Sequence, residues 1–228
     1  MTEAEWLACD DPRPMLEYLL KRRDRKLRLA AVGACRVFSD VLDDDRISAH
    51  ITDRHRQDAE AALSVAEQFA DGQATEEELE ASAETARAVE RSLRDAADTL
   101  INSDQDHEGM WLTDAAEVVS AFRDALSLWP ERALSSLAIT AGTEFLVART
   151  LREVFAPPAP TFHRAWLTAT VTTLARQMYE SRDFGAMPIL ADALQDAGCD
   201  SAAILDHCRG PGPHVRGCWV VDLVLEKE

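Results

Sequence analysis

The chain has 228 residues, of which 46% are hydrophobic, and its 41 acidic and 24 basic side chains give a formal charge of −17. That acidity excludes a generic nucleic-acid coat, which needs a basic footprint to meet phosphate. The apolar content excludes a disordered acidic chain, and the length allows one large domain or two small ones with a real core.

Helix signals begin at once. Thr2-Glu3-Ala4-Glu5 has the capping-box pattern, in which the Thr2 hydroxyl accepts from the third helical N–H and Glu5 reaches back. Asp11 precedes Pro12 and Pro14, which a first helical turn tolerates, and Met15, Leu16, Leu19 and Leu20 give that segment an apolar face. Asp24 is placed to cap a third helix, whose Leu27, Ala30, Ala31, Ala34, Cys35, Phe38, Val41 and Leu42 follow the 3.6-residue period. Asp43-Asp44-Asp45 breaks that pattern. A further helix carries Ala59, Ala62, Leu63, Ala66 and Phe69 and stops at Asp71-Gly72. Thr75-Glu76-Glu77-Glu78 repeats the capping box and opens a long helix to about Ile101, with a thin apolar stripe and a charged outer face.

Asn102 to Gly109 is a polar loop, followed by helices from Thr113 and from Pro130, with Gly142 weakening the second. Ala156-Pro157-Pro158-Ala159-Pro160 favours an extended connection and divides the chain into a helical domain over 1–155 and a C-terminal helical subdomain over 161–228. A continuous single domain is the alternative. Trp166 to Tyr179 is predicted helical. Pro188 opens another helix that ends at Ala197-Gly198, and Asp200 caps a short one over Ser201 to Arg209. Gly210-Pro211-Gly212-Pro213 is a turn, and Val215 to Leu225 is a final helix or a buried strand. Scarce β-branched runs and the strong helical periods predict an all-α fold of about eight to ten helices, an irregular bundle or a short stack of helix pairs.

The opening MTEAEWLA has no basic leader region, no segment has the roughly 20 apolar residues of a membrane span, and the five cysteines are odd in number. A cytoplasmic protein with reduced thiols and no membrane partner is the expectation. The segments MTEAEWLACDDPRPMLEYL, DRKLRLAAVGACR, AEQFADGQATEEEL, LREVF and PILADALQDAGCDSAAILDHCRGPGPHVRGCWVVDLVLEKE together resemble a family of uncharacterised bacterial helical proteins. The resemblance implies a grouping and a helical fold. It supplies no activity and no site residues.

Three patches bear on function. The first is the tail, where His207 and Cys208 are followed by His214 and Cys218, with Cys199 upstream. Zinc takes four nitrogen or sulfur donors, and the Gly210–Pro213 turn can fold one pair toward the other. Adjacent His207 and Cys208 point about 100° apart on a helix, which disfavours both facing one ion, though all five of Cys199, His207, Cys208, His214 and Cys218 are candidate ligands. The alternative for the tail is buried apolar cysteines and histidines that cap carbonyls.

The second patch is the basic corner Lys21, Arg22, Arg23, Arg25, Lys26 and Arg28, interrupted only by Asp24 and Leu27. It can meet an anion, a nucleic-acid backbone or an acidic partner, or pair internally with Asp43–Asp45 or the 71–100 helix. The third is Trp6, a candidate interface residue in a short N-terminal helix. The Asp104, Asp106, His107, Glu108 cluster lacks calcium-loop spacing, His50 and His55 lie off the i, i+4 spacing of paired helix ligands, and no nucleotide or hydrolase motif occurs.

These features point first to a non-enzymatic helical adaptor or assembly subunit acting through a protein partner or self-association, with no cofactor. The alternatives are a zinc-binding regulator or enzyme centred on the tail, a Cys208–His214 nucleophile pair included, and a nucleoprotein subunit using the basic corner. A nucleic-acid partner enters only through that corner or within a larger complex.

Overall fold

A computed structural model of the chain describes residues 1–19, 25–38, 52–101, 120, 124, 133–135, 144–156 and 162–227. Its elements in order are α1 (Glu3–Ala8), α2 (Pro12–Leu19), α3 (Arg25–Phe38), α4 (Asp53–Ala70), α5 (Glu76–Ile101), α6 (Glu144–Val154), a 3-10 turn (Arg164–Trp166), α7 (Ala169–Ser181), α8 (Met187–Asp196), α9 (Ala202–Arg209) and α10 (Trp219–Val224). The protein is all-α, and no strand occurs among the described residues. None of these helices is long and apolar enough to cross a membrane. Asp24, the acidic triplet Asp43–Asp45, the loop 102–109 and the proline run 157–160 lie outside the described residues.

The chain divides into two compact units, one formed by 1–10 with 148–228 and the other by 11–147. This partition departs from a split at the proline run into 1–155 and 161–228. α1 groups with the C-terminal helices, as do Ala148–Phe155, because Trp6, Leu151, Val154 and Phe155 are apolar and buried.

In the 11–147 unit, capping chemistry sets where helices start. The Asp11 carboxylate accepts from the Arg13 N–H at 3.0 Å, just ahead of α2. The Thr52 hydroxyl accepts from His55 N–H while His55 Nδ1 accepts from Thr52 N–H, both at 3.3 Å, so His55 is a capping residue at the head of α4. The Thr75–Glu78 box opens α5 in the same way. α4 is capped by Asp71 after Ala70, and Gly72 follows with φ +69°, a left-handed conformation that glycine adopts without a Cβ clash. α3 packs on α4 and α4 on α5, burying Ala30, Ala34, Leu63, Ala66, Leu79 and Ala83. These are the apolar stripes of the sequence.

In the other unit, the predicted Thr2–Glu5 box caps α1, with Thr2 N–H donating to Glu5 at 2.7 Å. α7, α8, α9 and α10 close around a core of Val171, Ala175, Leu190, Leu194, Ile204 and Val220. Each of the valine, leucine and isoleucine side chains among them contributes about 1.5–3 kcal/mol when fully buried. Two helix starts differ from the expectation. The helix expected from Trp166 begins only at Ala169, because Thr168 acts as its N-cap and accepts from Val171 N–H at 3.3 Å. Trp166 instead sits in the preceding 3-10 turn. Asp200 does not cap α9: Ser201 occupies the N-cap position, with no side-chain bond to the helix. Val215 to Leu225 resolves as a shorter helix than expected, α10, entered from Cys218.

Candidate metal centre

Three elements bring four donor side chains together in the unit that holds the C-terminus. α6 supplies Glu153, α9 supplies His207, and the segment before α10 supplies His214 and Cys218. One ligating atom from each lies within 4.8 Å of all the others. The Glu153 carboxylate is at the centre. His214 Nδ1 is 3.1 Å from both of its oxygens, and His207 Nε2 is 3.3 Å from Oε2. His207 Nε2 is also 3.2 Å from Cys218 Sγ. Side-chain exposure is 4% for Glu153, 15% for His207 and 10% for His214, and Cys218 is fully buried.

The turn predicted at Gly210–Pro213 makes this convergence. Gly212 has φ +72°, and a Cβ there would lie 2.8 Å from the backbone nitrogen of His214. Only glycine fits both constraints, since neither backbone can give way cheaply. Gly212→Ala is therefore expected to shift His214 off Glu153 and to cost about 1–3 kcal/mol of stability. Urea unfolding measures the loss, and an unchanged midpoint contradicts this role for the turn.

Hydrogen bonding fixes the protons. His214 Nε2–H donates to the Gly210 carbonyl at 3.4 Å and Nδ1–H donates to Glu153 at 3.1 Å, so the ring is held from both sides and loss of the Nδ1 proton leaves that nitrogen directed at the cluster. This is the outer-shell arrangement that ligating histidines use. His207 differs. Its Nδ1 accepts from the Trp219 indole N–H at 3.1 Å, which places the imidazole proton on Nε2, toward Glu153 and Cys218. Ligation through His207 Nε2 displaces that proton to Nδ1 and requires the Trp219 N–H to turn to another acceptor.

The electrostatics follow from burial and pairing. Burial pushes the Glu153 carboxyl up, but hydrogen bonds and charge from His207 and His214 outweigh it and hold the group down at about 2. Burial pulls His214 down, and its bonds to Glu153 and Gly210 more than reverse this, leaving it above the ordinary histidine value. Burial and the Glu153 charge drive the Cys218 thiol well above its ordinary range. Burial likewise pushes Cys208 up to about 12 and raises Cys199. A nucleophilic cysteine needs a lowered pKa, and burial shifts these three the other way. Cys208 is fully buried in the helical core, so the Cys208–His214 nucleophile pair gains nothing from its surroundings.

Of the five tail residues that the sequence singles out, the structure brings together His207, His214 and Cys218. Cys199 and Cys208 are buried core thiols outside that group, as the 100° separation of neighbours on a helix requires for Cys208. The fourth donor, Glu153, went unpredicted. Its signal in the sequence is an acid beside the apolar residues Leu151, Val154 and Phe155, a position where a carboxylate must find a partner.

The basic corner is absorbed by its own unit as far as it is described. Arg25 pairs with Asp71 at 2.8 Å, and Arg28 is 6% exposed with its guanidinium 4.9 Å from the Phe69 ring centroid. Lys26 is half-buried on the same helix. Lys21, Arg22 and Arg23 lie outside the described residues, as do His50 and the Asp104–Glu108 cluster. Trp6 is buried rather than presented on the surface, and it lines a cavity of about 640 Å³ together with His207, His214 and Trp219. Comparison with protein-family models, curated proteins and solved structures returned no match.

Proposed function

We propose that the chain binds one transition-metal ion of the zinc class through Glu153, His207, His214 and Cys218, and that the ion ties α6 to the C-terminal segment. The observation that supports this reading is the convergence of the four donors inside 4.8 Å from three separate elements. Two imidazoles, a carboxylate and a thiolate suit a tetrahedral zinc-class ion, whereas calcium and magnesium demand an all-oxygen set. Four protein donors fill a tetrahedron, so the site is of the structural or regulatory kind. Among the described residues an adaptor role draws on no comparable gathering of groups: the large exposed apolar residues there, Leu7, Tyr18, Phe145 and Ile189, are on four different helices.

The test is metal content and uptake by the full chain purified without a polyhistidine tag. Elemental analysis is expected to give one zinc per chain, and zinc returned after chelation is expected to restore it. Cys218→Ser should weaken binding more than 100-fold, beyond the 10–100-fold typical of outer-shell changes, while Cys208→Ser leaves it intact. The indole N–H resonance of Trp219 should move on zinc addition, because its acceptor on His207 becomes protonated. A folded chain that takes up no zinc overturns the proposal.

A further inference from the structure

The cavity beside the four-donor cluster carries a charge that the cluster does not use. α6 places Arg149 and Arg152 three residues apart, on one face of the helix with Glu153, and both residues line the cavity. Arg149 Nη2 donates to the Gly212 carbonyl and Arg152 Nη1 to the Cys9 carbonyl. A carbonyl takes one N–H and cancels no charge, and each guanidinium has five donors. Arg152 also lies 3.6 Å from Asp10, a residue 85% exposed, and a loose surface pair of this kind is weak.

Glu153 is engaged inside the cluster, its oxygens 3.1 Å from His214 Nδ1 and 3.3 Å from His207 Nε2, so it does not reach the arginines' side of the cavity as a partner for them. Among the described lining residues, Asp206 is the one further carboxylate, against the two arginines. The rest of the wall is apolar and partly aromatic, with Trp6, Leu7, Ala203, Pro211 and Trp219. Its volume, about 640 Å³, lies within the range of small-molecule pockets.

We infer that this cavity is a binding site for a small organic anion, with a carboxylate or phosphate head held by Arg149 and Arg152 and an aryl or branched-alkyl body against Trp6 and Trp219. A planar two-donor fork matches carboxylate and phosphate oxygens, which is why arginine serves such heads. The inference stands apart from the metal reading, because the arginines supply the attraction whether or not an ion is present.

The probes are phenylacetate and phenyl phosphate, with benzyl alcohol as the neutral counterpart and inorganic phosphate as the head without a body. Binding to the full chain is followed by calorimetry and by tryptophan fluorescence, with and without zinc. At least one of the two aryl anions is expected to bind with Kd below about 1 mM, at least tenfold tighter than benzyl alcohol and than inorganic phosphate. The stronger of the two identifies the head group. Arg152→Gln is expected to weaken that binding about tenfold with zinc content unchanged. Asp10→Asn, which removes the competing carboxylate, should strengthen it about threefold, a gain that misfolding cannot produce. Equal binding of the neutral and anionic probes, no binding of either anion, or binding indifferent to both substitutions overturns the inference. Zinc uptake without anion binding defeats this inference alone, and anion binding without zinc uptake defeats the metal reading alone.

Discussion

Replacing Glu153 by alanine is expected to destabilise the metal-free chain by about 3–5 kcal/mol and to abolish zinc uptake. The magnitude comes from what is left behind. Glu153 is 4% exposed and accepts from two imidazoles, at 3.1 Å and 3.3 Å. Without it, the buried His214 faces an empty space with no anion to hold its proton, and Cys218 loses a polar neighbour. Removing one partner of a buried pair costs far more than the pair contributes net, because the survivor stays desolvated.

Glu153→Gln separates charge from shape. It keeps the volume and one acceptor oxygen, so its cost should fall to about 1–3 kcal/mol, while zinc affinity still drops because an amide is a poor ligand. Urea unfolding of the chelated protein checks the first number, and a zinc competition titration checks the second. An alanine variant as stable as the parent would mean that the cluster contributes nothing to the fold.

Much of the fold was legible because helices announce themselves locally. The threonine-led boxes at Thr2 and Thr75, the stop at Asp71-Gly72 and the stripe Ala59, Ala62, Leu63, Ala66 each depend on residues within one or two turns. Thr168 shows the limit of that reading: its helical period was real, but its hydroxyl competes for a backbone N–H and moves the helix start downstream.

The site was half legible for a different reason. His207, His214 and Cys218 are 11 residues apart or fewer, so the turn between them could be read from its glycines and prolines. Glu153 is 61 residues from His214, and no local pattern announces a partner at that separation. Cys199 and Cys208 fit the composition of a zinc site equally well, but they point into the core. The Arg25–Asp71 pair, 46 residues apart, hid in the same way, so one arginine of the basic run makes an internal contact in the fold.

The response to pH is expected to take opposite signs with and without metal. In the chelated protein, the Glu153 carboxyl sits below its ordinary value of 4.5, so its stabilisation is complete above about 4.5 and is lost as pH falls toward about 2. By linkage this amounts to about 3 kcal/mol. His214 sits above its ordinary 6.5, so its stabilisation is complete below 6.5 and is lost as pH rises through the raised value. The metal-free cluster thus supports the fold best between about pH 4.5 and 6.5 and weakens as pH rises through the raised His214 value.

Zinc reverses the alkaline limb. Its donors must be a carboxylate, two neutral imidazoles and a thiolate, so binding expels one proton from His214 and one from Cys218, whose thiol burial and Glu153 hold protonated. Two protons released per ion mean that each pH unit tightens binding by about 100-fold while His214 is charged, and by about 10-fold above that. The gap between zinc-loaded and chelated melting temperatures should therefore widen steadily from pH 5.5 to 8, by linkage to the bound state. Calorimetry in buffers of different ionisation enthalpy counts the protons directly. Two released near pH 6 fits these four donors, and none released would remove His214 and Cys218 from the ligand set.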